Sequence, residues 1–325
     1  MLKILTIAGG DVGYGHLGRC LPIIDAANKS GQKAEIIVKF SDQSCWQPKN
    51  KNIVVKDWIS IRADLLIAKN DVALLDVLSL DNEKIISIKE ACRKLFIVDD
   101  IGKEQYWEYN RIDWSIRSYV KSKKSEKNHL VSPYYVPLRD TFSNFPKKII
   151  EKNVKRILIT LGGSDIKNLT PKIIDFLKIK FPELKITVLV GPGFQHVDKI
   201  IGTYNDNIDF KIRPNDEEIA NAMKICDVAI TTGGHTMYEL AAAGLPVIQL
   251  QVADNQEVSK YWAEYGFSRY IGCYDSAQFW NNFLEAMQSF MSQVSRKVSS
   301  RLGQRLIDGK GSYRLIEKMV ESNVD

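Results

Sequence analysis

Cysteine is scarce and poorly placed for any shared task. Cys20, Cys45, Cys92, Cys226 and Cys273 are far apart, odd in number and form no C-x-x-C pair. Such spacing argues against a disulfide framework, carries no zinc-site signature and fits a reducing compartment. Long apolar runs are also missing. No stretch reaches the roughly 18 apolar residues that a membrane-spanning helix needs. The apolar run from Leu2 to Ala8 is too short for a signal-peptide core and reads as a first strand. The expected location is therefore the cytoplasm. Neither sign of charge dominates: 45 Lys and Arg face 39 Asp and Glu, for a net charge of +6. A nucleic-acid binder gathers its basic residues on one element, whereas here they are scattered, so no nucleic-acid partner is expected. The one dense run, Lys121-Ser122-Lys123-Lys124, lies in a polar stretch and reads as a solvated loop. The mild positive balance suits a polyanionic small ligand and a weak contact with a membrane surface, without requiring either.

With 325 residues the chain is too long for one ordinary core and sufficient for two domains of about 150 each. Lys3 to Ala8 is β-rich and apolar on both faces, as a central parallel strand should be. It runs into the turn Gly9-Gly10-Asp11-Val12-Gly13-Tyr14-Gly15-His16. Leu17, Cys20, Leu21, Ile24 and Ala27 then follow at helical spacing. Further strands are expected at Ala34 to Val38, near Val54, and at Lys94 to Asp100, which ends in two acids, while Asp64 to Ile67 and Val72 to Asp76 lie in the αβ unit between. The polar, proline-containing stretch from Lys121 to Pro146 reads as the crossing between domains. Beyond it the alternation restarts, with strands at Arg156 to Leu161, Lys185 to Val190, Ile208 to Ile212, Asp227 to Thr232 and Val247 to Leu250. Helical patterns separate them, and the last ~50 residues look helical. Strands alternating with helices predict parallel, doubly wound sheets, residues 1–147 forming one domain and residues 148–325 a second with a helical tail. Two such sheets leave a cleft at the carboxyl ends of their strands, where ligands bind in this fold class.

Three loops carry the candidate chemistry. Gly162-Gly163-Ser164-Asp165 follows a strand and precedes a helix. Its glycines admit close backbone approach and its free amides attract anions, although a tight β–α turn needs the same residues. Thr231-Thr232-Gly233-Gly234-His235 repeats the arrangement, with Glu239 following in the helix. A carboxylate there can accept from vicinal ribose hydroxyls, or simply favour the helix start. His235 reads equally as a phosphate contact or as a turn residue. The first loop, Gly13-x-Gly15-His16-x-x-Arg19-Cys20, sets a histidine at a helix start. That environment disfavours a cation and suits His16 to take a proton as a general base. Arg19, one turn on, would hold a phosphate or sugar hydroxyl, or pair with a nearby acid.

Taken whole, the segment from Thr231 through Glu239 to Gly244-Leu245-Pro246 and Asp254-Asn255-Gln256 resembles the donor-nucleotide segment of GT-B glycosyltransferases, especially the MurG-like branch. The G-x-G-H-x-x-R-C loop and the stretch Gly162-Gly163-Ser164-Asp165-Ile166-Lys167-Asn168-Leu169-Thr170 make the chain resemble one family in particular, PseG, the UDP-sugar hydrolases of pseudaminic acid biosynthesis. Val98-Asp99-Asp100 and the stretch from Tyr134 to Arg139 add to the likeness, which spans about residues 1–275. Two departures stand out. Family members usually carry Arg-x-Asp before the histidine loop, where this chain has Ala8-Gly9-Gly10-Asp11. They usually have Asp-His-Tyr at the end of a central strand, where this chain keeps Asp76 and continues Val77-Leu78.

The resemblance implies a GT-B fold, two Rossmann-like domains facing a central cleft. It also implies an inverting, metal-independent hydrolase with no cofactor, which releases UDP and a free 2,4-diacetamido-2,4,6-trideoxy hexose from a UDP-sugar. His16 would be the catalytic base. Gly15, Gly162, Gly163, Ser164, Gly233, Gly234, His235 and Glu239 would bind the nucleotide. Arg19, Asp76, Asn255 and Gln256 would face the sugar. A MurG-like transferase, with an acceptor hydroxyl replacing water, is the alternative, and the loss of the His-Tyr pair favours it.

Overall fold

The computed structural model describes residues 1–325 apart from 10–11, 42–51, 101, 122–128, 196, 205–207, 253–258 and 321–325. Gly10, Asp11, Cys45, Ser122, Lys123, Lys124, Asp254, Asn255 and Gln256 therefore lie outside the described residues. The chain divides into two units: residues 1–140 with 309–325, and residues 141–308.

The first unit is built on β1 (Leu2–Ala8), β2 (Ala34–Phe40), β3 (Ile53–Val55), β4 (Val72–Asp76), β5 (Lys94–Val98), β6 (Asn110–Asp113) and β7 (His129–Val131), with α1 (Gly15–Lys29), α2 (Asn82–Ala91) and α3 (Ile116–Val120) between them. All seven strands are parallel, in the order β3-β2-β1-β4-β5-β6-β7. Covered on both faces, the central strands are apolar on both: Ile4, Leu5, Ile36, Val38, Leu74 and Leu75 are all fully buried.

In the second unit β8 (Arg156–Thr160), β9 (Lys185–Val190), β10 (Ile208–Ile212), β11 (Val228–Thr232), β12 (Val247–Gln251) and β13 (Ser268–Cys273) form a parallel sheet ordered β10-β9-β8-β11-β12-β13. Its helices are α4 (Thr170–Lys180), α5 (Val197–Thr203), α6 (Asp216–Ile225), α7 (Thr236–Ala242), α8 (Ser259–Glu264), α9 (Phe279–Met291) and α10 (Gln293–Leu306). In each sheet the strand order reverses once, between β1 and β4 and between β8 and β11. At such a switch point the loops leaving two neighbouring strands diverge to opposite faces and open a crevice at the carboxyl ends.

Three strands and the tail differ from the sequence reading. β6 has the sequence Asn-Arg-Ile-Asp, in which Arg111 and Asp113 are buried. Their charges answer each other, with Arg111 Nη1 3.4 Å from Asp99 Oδ2 and Nη2 3.5 Å from Asp113 Oδ2, so hydropathy hides the strand. β7 falls within the stretch read as the crossing between domains and pairs with β6 at the edge of the first sheet. β13 closes the far edge of the second sheet.

The tail divides between the units. α10 stays with the second and holds residues 146–152 to it: Gln304 Nε2 donates to Pro146 O at 2.9 Å, Gln293 Nε2 to Ile150 O at 2.8 Å, and buried Arg296 to Lys152 O at 2.9 Å. The last helix, α11 (Gly311–Val320), returns to the first unit, where it packs on α1 and buries Leu315, Ile316 and Met319. Tyr313 donates to Asp140 at 2.8 Å, and the Arg314 guanidinium carbon sits 3.3 Å from the Tyr134 ring centre. Tyr134, part of the stretch that carried the family likeness, thus serves the docking of α11.

The loops after β8 and β9 touch backbone to backbone. Gly193 N donates to Gly163 O at 2.8 Å, and a Cβ on Gly191 would stand 2.4 Å from that same oxygen. A methyl group there must push the Gly162 loop aside. Gly191→Ala is expected to lower the unfolding free energy by about 1–3 kcal/mol, read as a lower urea midpoint. An unchanged midpoint would contradict the close contact.

Candidate active site

In the first unit the switch point is occupied by a histidine, an arginine and an aspartate. β1 ends at Ala8 and the chain doubles back, Gly9 N donating to Gly13 O at 2.9 Å, before α1 begins. Gly9 and Gly13 hold φ of +84° and +69°, which glycine tolerates without strain. No side chain of Tyr14 caps α1, and its first turn holds no acid. His16 and Arg19, one turn apart on α1, both reach across to Asp76, the last residue of β4.

The contacts on Asp76 are short. His16 Nδ1 lies 2.8 Å from Oδ1. Arg19 approaches side-on, Nε at 2.7 Å from Oδ2 and Nη2 at 2.5 Å from Oδ1. The Cys20 thiol donates to Oδ2 at 3.6 Å. The backbone beneath is tied as well: Thr6 Oγ1 donates to Asp76 O at 2.9 Å, and Trp58 Nε1 to Thr6 O at 2.8 Å. The third guanidinium nitrogen, Arg19 Nη1, holds Asp100 Oδ2 at 2.6 Å, and the guanidinium lies over the Trp114 ring at 5.2 Å.

Charge and burial decide the protonation pattern. Asp76 is 1% exposed. Burial alone would raise its carboxyl, but the Arg19 cation, aided by the bond from His16, outweighs burial and holds it well below the usual carboxylate value of 3.8. Burial opposes the Arg19 charge too, and Asp76 and Asp100 more than compensate. Burial, then the Asp76 charge, pushes the Cys20 thiol up and keeps it a neutral donor. An ionised carboxylate only accepts, so Nδ1 of His16 carries the hydrogen and donates to Asp76. A neutral ring then has its lone pair on Nε2. Among the described residues Nε2 makes no hydrogen bond. The 3.1 Å approach of Arg19 Nη2 to Nδ1 is consequently a close contact between two donors.

In the second unit the two glycine loops stand at the other switch point. Gly162, with φ +81°, and Gly163 are exposed, and Ser164 is half-buried. Asp165 turns inward to cap α4, accepting from Leu169 N at 2.9 Å and Thr170 N at 2.8 Å. A groove of about 330 Å³ opens beside this loop, walled by Ser164, Ile166 and Asn168 on one side and Gly193, Phe194 and Gln195 on the other. Gly234 is exposed, and His235 stands at the start of α7 with its ring 5.6 Å from that of Tyr238. Glu239, in the first turn of α7, is 4% exposed.

The structure thus gathers His16, Arg19 and Asp76 into one cluster, beside Gly15, and sets Gly162 to Ser164 and Gly233 to Glu239 on neighbouring loops of the second sheet. Asn255 and Gln256 fall outside the described residues. Arg19 pairs with acids, the second of the two readings made for it. Three participants escaped sequence reasoning. Asp100 belonged to a noticed acid pair, but nothing told it apart from Asp99, which turns away to accept from Gly102 N and Lys103 N at 2.8 and 3.0 Å. Trp114 carried no signal. Gly191-Pro192-Gly193 after β9 is a turn signature that could have pointed to the brace under the Gly162 loop. Among the described residues no group of three or more His, Cys, Asp or Glu could hold a metal ion, and no helix is long and apolar enough to cross a membrane.

Removing Asp76 leaves the Arg19 cation without its main partner in a buried setting. Asp76→Ala is expected to cost about 3–5 kcal/mol of unfolding free energy at pH 7. The pH dependence has a definite sign. A carboxyl held below 3.8 when folded adds stability above that pH and loses it as the pH falls further toward its folded value. Asp76→Asn should therefore flatten the acid limb of a stability-versus-pH curve below about pH 4. An acid limb as steep as that of the unaltered protein would contradict the pairing.

No model of a known protein family matches the chain. It is 30% identical over 269 residues to an uncharacterized protein of Methanocaldococcus jannaschii, covering 77% of this chain and 55% of that one. It is 25% identical to the Bacillus subtilis spore coat polysaccharide biosynthesis protein SpsG, over 96% of this chain and 95% of that protein. It is also 25% identical to the Helicobacter pylori pseudaminic acid cytidylyltransferase and UDP-2,4-diacetamido-2,4,6-trideoxy-beta-L-altropyranose hydrolase, over 78% of this chain and 45% of that protein. The chain thus spans about half the length of the first and last of these relatives. Among solved structures, MurG of Acinetobacter baumannii superimposes with a TM-score of 0.66 at 15% identity, over 98% of this chain and 99% of that one. The pneumococcal O-GlcNAc transferase GtfA, in complex with UDP and GlcNAc, superimposes with a TM-score of 0.58 at 11% identity, over 100% and 99% of the two chains. The fold is GT-B: two Rossmann-like units, each with a parallel sheet.

Proposed function

We propose that this protein is a sugar-nucleotide enzyme, and specifically a UDP-sugar hydrolase that releases UDP and a free 2,4-diacetamido-2,4,6-trideoxy hexose for a pseudaminic-acid-like pathway. The observation that carries the reading is the 2.8 Å contact between His16 Nδ1 and the buried Asp76 carboxylate, which leaves Nε2 as the ring atom for chemistry. The similarity to the Helicobacter pylori hydrolase supports the substrate class.

Each unit has its own task. In the second, the glycine loops Gly162-Gly163-Ser164 and Gly233-Gly234 suit a diphosphate, with His235 beside them, and Glu239 suits the ribose hydroxyls. In the first, His16 Nε2 takes a proton from water as the water oxygen attacks the anomeric carbon. The bond from that carbon to the β-phosphate oxygen breaks, its electron pair leaves with UDP, and the sugar is released with inverted configuration. Asp76 stabilises the imidazolium that forms, as a carboxylate does behind any histidine base. UDP is a good leaving group, so positioning and one base suffice and the reaction is metal-independent.

A second reading has an observation of its own. Where PseG-like chains carry His-Tyr, this chain has Val77-Leu78, and Leu78 is 55% exposed. The loss of that pair from the two positions after Asp76 suits a MurG-like transferase, in which His16 deprotonates an acceptor hydroxyl.

Incubation with UDP-2,4-diacetamido-2,4,6-trideoxy-β-L-altropyranose tests both. The hydrolase reading expects UDP and free sugar in equal amounts without an acceptor, and a fall of about 10²- to 10⁴-fold in His16→Ala. Release only on adding an acceptor would decide for the transferase. No release above the His16→Ala control under either condition would refute both.

A further inference from the structure

Of the two carboxylates bound to Arg19, only one is open to a ligand. Asp76 is spent on His16, Arg19 and Cys20 and its side chain is 1% exposed, whereas that of Asp100 is 32% exposed. Asp100 follows β5, the strand next to β4, and so stands one strand over from Asp76 at the same carboxyl edge. Arg19 is a rigid planar fork whose Nε and Nη2 are fixed on Asp76, and this fixes where Nη1 holds Asp100 Oδ2, at 2.6 Å. The main chain at Asp100 is held as well, its carbonyl accepting from Arg117 Nη2 at 3.2 Å. Among the described residues the side-chain hydrogen bonds of Asp100 run through Oδ2 alone, so Oδ1 keeps its acceptor capacity. Asp99 offers no substitute: it is 2% exposed, its Oδ1 is taken by two backbone amides, and its Oδ2 faces Arg111.

We propose that Asp100 is a sugar-recognition residue, its outer oxygen accepting a hydrogen bond from an N–H or O–H of the ligand's sugar while Arg19 clamps its inner oxygen. The inference rests on the reading of the site as one for a nucleotide-sugar. A carboxylate repels phosphate, so the group it meets is the sugar. The clamp fixes the acceptor before the ligand arrives, and a bond from a sugar N–H or O–H to an ionised, pre-positioned oxygen is stronger than one between neutral groups. A sugar bearing acetamido groups supplies such donors. One lacking a donor at that place leaves the carboxylate desolvated and unpaired, which gives discrimination as well as affinity.

The test separates binding from turnover. In a His16→Ala background, calorimetry measures the affinities for UDP and for UDP-2,4-diacetamido-2,4,6-trideoxy-β-L-altropyranose, with and without Asp100→Asn. The asparagine oxygen can still accept from Arg19, while its amide nitrogen replaces the outer acceptor. UDP affinity is expected to stay within about twofold and UDP-sugar affinity to fall by about tenfold or more. Asp100→Ser, too short to reach the sugar, should give the same pattern and guards against misfolding of the first variant. Unchanged UDP-sugar affinity in both variants overturns the proposal, as does an equal loss for UDP and UDP-sugar. Failure of the hydrolase reading looks different: the unaltered protein would bind the UDP-sugar without releasing UDP, and the Asp100 comparison would still read.

Discussion

A buried aspartate at the switch point of the first sheet is the constraint on which the rest of this site depends. Asp76 is almost fully enclosed, and a lone carboxylate there would be too costly to ionise. Arg19 makes it affordable, and the same side-on guanidinium sets the geometry of everything nearby. Asp76 in turn decides which nitrogen of His16 carries hydrogen, and Arg19 decides where Asp100 stands. Thr6 and Trp58 fix the strand ends underneath. His16, its orienting carboxylate and a half-exposed second acid are thus one electrostatic unit, anchored on α1, β4 and the end of β5.

The two units use one topology for different ends. In both, the loops that matter leave the strands flanking the switch point: after β1 and β4 in the first, after β8 and β11 in the second. The first fills its crevice with charged side chains that meet one another. The second keeps its crevice lined by glycine, with Gly162, Gly163 and Gly234 exposed and a buried glutamate one turn into α7. Side chains suit proton transfer, and bare backbone suits phosphate. That contrast underlies the proposed roles, proton transfer at the histidine of the first unit and nucleotide binding at the glycine loops of the second.

Much of this was legible in the sequence because parallel strands are apolar runs and glycine loops punctuate them. β1, β8, β9 and β11, and the glycine loops leaving β8 and β11, fall where the pattern puts them. What escaped notice did so for physical reasons. β6 hides behind Arg111 and Asp113, charges that are buried only because they face each other. β7 has three residues and no periodicity to read. α11 has an ordinary amphipathic pattern, and no local feature says that its apolar face belongs to α1, far back in the sequence of the first unit; Gly311, where a Cβ would meet Val136 O at 2.0 Å, marks the close approach of its start to that same unit. In the site itself, His16 stood out by its glycine context. Its partner could not be read from spacing, since Asp76 lies 60 residues away and was expected to face the sugar.

The central claim is that Asp76 sets the tautomer of His16 and so makes Nε2 the base. Nitrogen-15 NMR of the histidine-labelled protein, with His16 assigned by comparison with His16→Ala, reads this directly through the two-bond couplings from the ring nitrogens to the ring carbon-bound hydrogens. The account predicts a protonated, pyrrole-type Nδ1 and an unprotonated, pyridine-type Nε2, exchanging their pattern or averaging in Asp76→Ala. A His16 that carries its hydrogen on Nε2 in the unaltered protein would contradict it.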